Sequence, residues 1–307
     1  MVAVALVAAA ISASRLSAQA EARRLPPSRL AVFNDGAWQE WWRSSEAPAA
    51  WRAPDERVAG AIGWRPVAPG LDWGELRLSG SGEAWRLKVV VARIDPARIR
   101  LSLDTAFTAG RARANWSIDR AGEDVLLAVN AGQFPRAMPW GWVVIDGREF
   151  LPPGSGPLSM AMAVDATGRV RWIAGDSLPG ADRRDVRTAF QSYPTLLVGG
   201  EVPLALRGGG LGVDVEHRDA RLAIGQDRAG SLVVALTRFD AAGDALDFVP
   251  FGLTTPEMAA VMGALGAVNA VMLDGGISSQ MLVRDPSGVR RWEGLRKVPL
   301  GLVGRRR

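Results

Sequence analysis

The stretch Ala267–Met281, AVNAVMLDGGISSQM, decides how the rest of the chain is read. Val268–Leu273 is an apolar run of strand length, interrupted only by Asn269, and reads as a buried β-strand. It stops abruptly at Asp274-Gly275-Gly276, with Ser278 and Ser279 close behind. A buried strand that opens into an acid, two glycines and two hydroxyls can deliver polar groups to a pocket. Glycine admits close approach of backbone to a ligand, and successive N–H groups in such a turn can form an anion-binding nest. A tight turn that merely ends a core strand has the same composition, so the other motifs decide between the two. Just upstream, Thr255-Pro256-Glu257 supplies an N-cap, a first-turn proline and a first-turn acid. A helix is expected from there to about Leu265, stopped by Gly266, with Met258, Val261, Met262 and Leu265 toward a sheet.

Composition narrows the chemistry. The chain has 307 residues, 48% hydrophobic and 22% charged, which is globular in character and long enough for one large domain or two ordinary ones. There is no cysteine and one histidine, His217. Thiolate nucleophiles, disulfides and Cys- or multi-His zinc sites are therefore excluded. The net charge of +5 comes from scattered arginines without a basic stripe, so no nucleic-acid partner is expected. Gly208–Gly212 lacks the lysine of a phosphate-binding P-loop and the strand-to-helix setting of a dinucleotide fingerprint. Carboxylates, amides, hydroxyls and arginine remain to do any chemistry, and no cofactor or metal is called for.

Met1–Ile11 is a continuous apolar run, too short to span a bilayer comfortably, followed by the small-x-small site Ala18-Gln19-Ala20. Residues 1–22 read as a signal peptide, or alternatively as a membrane-proximal segment, and the expected location is secreted or periplasmic. Residues 23–70, with Trp38, Trp41, Trp42 and Trp51, read as a Trp/Pro-rich N-terminal extension packed on the main domain. From residue 71 onward, strands are expected at Trp85–Val91, Ile99–Leu103, Asp124–Val129, Trp142–Ile145, Met160–Val164, Val170–Ile173 and Ser231–Leu236; Thr195–Val198 is an apolar run stopped by Gly199-Gly200, and Arg221–Gly225 leads through the turn Gln226–Gly230 into the last of these strands. Asp146-Gly147 marks a hairpin, and Ala114–Ala121 is a short helix candidate. Many strands and few helices, without βα alternation, predict an α+β fold: a mixed, largely antiparallel sheet core with a few flanking helices.

Four pieces stand out in order: VNAGQF (Val129–Phe134), QSYPTLLVGG (Gln191–Gly200), RLAIG (Arg221–Gly225) and LDGGISS (Leu273–Ser279). Together they resemble the phosphodiester glycosidase family, whose pieces run NAGFF, Q-S-x-P-x-L-V-x-x-G, R-T-A-I-G and LDGGGS. The resemblance covers residues 71–307 and implies a catalytic domain that hydrolyses a sugar 1-phosphodiester and releases the sugar. An envelope or extracellular glycan is the implied setting, with transient membrane or envelope contact. Asn130, Gly132, Gln191, Arg221, Asp274, Gly275, Gly276, Ser278 and Ser279 match the family's pieces. Gln133, Leu222 and Ile277 depart from them, at positions where the family usually has Phe, Thr and a third Gly.

The matched residues suit that chemistry. Arg221 can grip phosphate oxygens in bidentate fashion at any physiological pH. The N–H groups of Gly275 and Gly276 and the hydroxyls of Ser278 and Ser279 can hold the remaining oxygens. Asp274 is the first choice for the carboxylate that supports an oxocarbenium-like centre or activates water, with Asp214, Glu216 and Asp219 in reserve. Asn130 joins Asp274 and Arg221 as a catalytic candidate, and Gln191 and Gly132 join the glycines and serines as substrate-binding candidates. Each has an alternative structural duty: Asp274 as the cap of its turn, Arg221 as partner of a nearby acid, Asn130 and Gln191 as partners of buried backbone. A non-catalytic envelope protein of the same fold that binds glycans or phosphorylated glycans is the rival reading.

Overall fold

The computed structural model describes residues 27–106, 115–135, 137–241 and 246–307. The apolar run and small-x-small site of residues 1–22 lie outside these. Among the described residues, no helix is long and apolar enough to cross a membrane.

The chain is built chiefly of sheet, and every pairing between the strands named below is antiparallel. The mixed element of the expected sheet is therefore absent from the described residues, and the largely antiparallel part holds. The Trp-rich segment supplies β1 (Arg29–Asn34), β2 (Ala37–Arg43) and β3 (Arg65–Ala68). They join β4 (Leu71–Gly80), β5 (Leu87–Ile94), β13 (Thr195–Leu197), β14 (Leu222–Asp227), β15 (Leu232–Phe239) and β16 (Ala267–Met272) in a nine-stranded sheet. A second sheet holds β8 (Val143–Ile145), β9 (Arg148–Leu151), β10 (Met160–Asp165), β11 (Val170–Ala174) and β12 (Val186–Ser192). The third has the order β18-β17-β7-β19-β6, from Gly288–Trp292, Met281–Asp285, Leu127–Asn130, Leu300–Arg306 and Ile99–Thr105.

The large sheet is covered on both faces, which is why its strands are apolar at successive positions. On β5, Val89 and Val91 enter one core with Leu76, Val233 and the helix residues Met258 and Met262. Val90 and Ala92 enter a second core with Leu222, Val234, Val129, Phe190 and Leu302, contributed in part by the other two sheets. Trp41 and Trp42 are buried in the first core, and Trp51 packs against it.

The helices are short: α1 (Glu56–Gly60), α2 (Leu204–Gly208) and α3 (Thr255–Ala264). The α3 helix starts one residue earlier than the sequence suggests. Thr254, not Thr255, is the N-cap, because its hydroxyl accepts from Glu257 N–H while the Glu257 carboxylate accepts from Thr254 N–H. That reciprocal box needs a spacing of three, which only Thr254 has. Almost all of α3 is buried, so it is apolar all round instead of carrying the one-sided stripe expected. The helix expected at Ala114–Ala121 is also corrected. Its start lies outside the described residues, Trp116 is extended and bridges to Val298, and only Ile118–Arg120 makes a single 3₁₀ turn.

A candidate active site where three sheets meet

The strands β14 and β16 are antiparallel neighbours with Ala223 opposite Met272 and Ile224 opposite Val271. Leu273 N–H donates to Leu222 O at 2.8 Å, so the register continues past the strand ends. One residue further, Arg221 faces Asp274. Two motifs some fifty residues apart in sequence are thus brought together by sheet pairing alone. Pro194, just before β13, accepts from Met272 N–H and brings Tyr193 to the same end.

The turn after β16 is tied to the third sheet by Asn130 at the end of β7. Asn130 Nδ2 donates to Asp274 O at 2.8 Å, and its Oδ1 accepts from Gln280 N–H at 3.0 Å. Asp274 N–H donates in turn to Gly132 O at 2.9 Å. Asn130 is wholly buried and clamps both ends of the Asp274–Gln280 turn. Its catalytic assignment therefore gives way to the structural alternative: it positions the turn and touches no open space. The same holds for Gln191, also wholly buried. Its amide is spent on Trp142 N–H, on both N–H and C=O of Gly154, and on the Ser159 hydroxyl. Gly132 serves as an acceptor in this frame. Ser279 is buried, donates its hydroxyl to Gly276 O, and receives the Arg238 guanidinium.

The remaining candidates line one cleft of about 290 Å³: Arg221, Asp274, Gly275, Gly276 and Ser278, joined by Asp219 from the reserve acids. Arg221 Nε donates to Leu253 O at 2.8 Å and Nη2 to His217 O at 2.6 Å. These two bonds hold the guanidinium plane and leave Nη1 uncommitted among the described residues. No carboxylate of the described residues stands within ion-pair distance of it, so the ion-pair alternative for Arg221 is not realised. The segment carrying it is anchored by Arg218, which makes a two-pronged pair with buried Glu257 at 2.6 and 2.8 Å.

Two acids face the cleft under strain. Burial pushes the Asp274 carboxyl above its ordinary value; the Ser278 hydroxyl and Arg296 pull it back, and Asp219 pushes it further up. Asp274 Oδ2 is buried without a hydrogen-bond partner among the described residues. Burial likewise raises Asp219, against the pull of Arg221. Asp219 closes over Gly276: a Cβ there would lie 2.6 Å from Asp219 Oδ2, and the backbone has φ of +56°, so only glycine fits. The expected nest is smaller than the sequence suggests. Gly276 N–H donates to Ala220 O, and the N–H groups of Ser278 and Ser279 are used within the turn.

Two cleft residues escaped the sequence reading. Arg296 lines it, over the Phe134 ring at 4.9 Å. Tyr193, the only tyrosine, is exposed and meets Trp140 edge to face at 4.8 Å. Gln133, a departure at a position that bears on the substrate pocket, does line the cleft and donates to Tyr193 O. A lone tyrosine beside a proline in an apolar stretch was a usable signal for Tyr193; nothing near Arg296 pointed to it. The other two departures fall differently: Leu222 is a core residue and Ile277 sits exposed at the cleft rim. Among the described residues, no group of three or more His, Asp or Glu side chains is placed to hold a metal ion.

The sequence model of the phosphodiester glycosidase family matches residues 123–303. No curated protein matches the chain. Among solved structures, the fold is similar to the catalytic domain of zebrafish N-acetylglucosamine-1-phosphodiester alpha-N-acetylglucosaminidase, auto-inhibited by its pro-peptide. That match has a TM-score of 0.60 and 14% identity over 86% of this chain and 90% of that one. A hypothetical protein from Synechocystis gives 0.48 and 16% over 91% and 72%. A candidate exported protein from Burkholderia pseudomallei gives 0.49 and 18% over 71% and 74%.

Proposed function

The chain belongs to the phosphodiester glycosidase family, and from that premise we propose that it hydrolyses a sugar 1-phosphodiester, releasing the free sugar from a cell-envelope or extracellular glycan. The observation that carries this reading is the pairing of Arg221, with Nη1 turned free, against Asp274 in one cleft. An arginine without an acid partner suits the single negative charge of a phosphodiester. In the reaction, the bond between the anomeric carbon and the bridging oxygen breaks and its electron pair leaves on the phosphate. Arg221, helped by Arg296, stabilises the charge that gathers there. Asp274 faces the anomeric carbon, where its charge supports the developing oxocarbenium ion and its oxygen takes a proton from the attacking water. Asp219 raises the basicity of Asp274 by its own charge. Tyr193, which lines the same cleft, offers a ring face to the sugar.

The test is release of free sugar from N-acetylglucosamine 1-phosphodiesters by the purified protein. Arg221→Ala is expected to lower kcat/KM by about 10²–10³-fold, as for loss of a transition-state donor, and Asp274→Asn by at least as much. A wild type that releases no sugar from any such diester, yet binds phosphorylated glycans through Arg221, would instead be a binding protein of this fold. The exposed Tyr193, packed edge to face on the half-buried Trp140, favours that second reading. Either reading places the protein outside the cytoplasm, in the periplasm or medium, which cell fractionation checks.

A further inference from the structure

Beside the polar cleft lies a second hollow of about 340 Å³, which shares Tyr193, Pro194 and Arg221 with it. Its walls differ in chemistry. Trp140, Pro157, Pro194, Leu211 and Val213 make it apolar, and neither Asp219 nor Asp274 reaches it. The Trp140 ring is held flat by Gly154 and Gly156, whose Cβ positions would come within 3.3 Å of it. Leu211 is 61% exposed at the mouth with a φ of +52°, a conformation that branched apolar residues rarely keep. A leucine held out into solvent across from an aromatic wall presents apolar surface to whatever enters the hollow.

We propose that this hollow is the subsite for the alcohol on the far side of the phosphate, and that it selects an uncharged, apolar aglycone. The inference rests on the phosphodiester reading of the neighbouring cleft. Arg221 stands at the junction, so a phosphate gripped there places its sugar ester among the carboxylates and its second ester against Trp140, Leu211 and Val213. The rim acid Asp214 stays ionised, since the His217 and Glu216 N–H groups hold its carboxyl below the usual range. It disfavours an aglycone that carries further negative charge, such as a second phosphate. An alkyl or aryl alcohol fits, and burying it excludes water from the phosphate as well.

Calorimetric titration of the full protein with hexyl methyl phosphate and with dimethyl phosphate tests this without a sugar and without turnover. The hexyl diester is expected to bind at least tenfold more tightly, with a more negative heat-capacity change. Leu211→Asn, whose side chain accepts the left-handed backbone, and the uncharged Val213→Asn are each expected to remove most of that advantage and leave dimethyl phosphate binding unchanged. Equal affinity of the two diesters, or a preference that both variants retain, would overturn the proposal. If the hexyl preference and its loss are seen but no sugar 1-phosphodiester is hydrolysed, the subsite stands and the glycosidase reading falls. If methyl and hexyl esters of N-acetylglucosamine 1-phosphate are hydrolysed with equal kcat/KM, the glycosidase stands and the subsite falls.

Discussion

Asp274 carries an energetic burden that its neighbours only partly relieve. Its folded-state pKa is raised, so this group favours the folded state fully below its ordinary value of 3.8 and loses that contribution as pH rises through the raised value. At neutral pH the buried charge is a cost to folding. Asp274→Asn is therefore expected to melt at a higher temperature than wild type at pH 7, with the difference closing by about pH 3, read by thermal unfolding. The same displacement sets the kinetics. The acid limb of kcat/KM should lie above the usual carboxylate range, and Asp219→Asn should move it to lower pH by removing one of the charges that raise Asp274. Arg221 and Asp274 were legible in the sequence because each sits in a motif at the end of an apolar run. Asn130 and Gln191 were legible as motif residues, with a site role and a buried-backbone role left open between them. A buried amide and a substrate-facing amide have the same sequence signature, and only their hydrogen-bond partners tell them apart.

Helix α3 joins the energetics of an element to the site. Glu257 completes the Thr254 cap and at the same time takes the Arg218 guanidinium, three residues from Arg221. Glu257→Ala leaves Arg218 without its partner in a buried place, and urea denaturation should register a loss of about 3–5 kcal/mol. Thr254→Ala, which removes only the cap, should cost about 1 kcal/mol. Most strands could be placed from their apolar runs, since a sheet covered on both faces leaves little ambiguity there. The helix content was harder. The absence of the expected helix at Trp116 follows from a tertiary bridge to Val298 that no local pattern encodes.

At the scale of the molecule, β1 and β2 extend the large sheet from β4, and Leu30, Val32, Trp41 and Trp42 complete one of its cores. We expect a protein beginning at Leu71 to lose these contacts and to precipitate or unfold below physiological temperature, whereas one beginning near residue 27 folds; circular dichroism of the two purified chains decides. The third sheet has a property of another kind. Strand β7, which ends in Asn130, is flanked by β17 and β19, and β6 pairs only with β19. Every neighbour that β7 needs is thus translated long after it: about 170 residues separate Asn130 from Leu300. At ribosomal speeds of roughly 5–20 residues per second, that is a wait of about ten to thirty seconds. During that interval a nascent chain carries two unpaired apolar strands and no Asp274 turn for Asn130 to clamp. The Asp274 turn is clamped only once β17 and β19 close on β7, so the candidate cleft is the last part of the molecule to take shape.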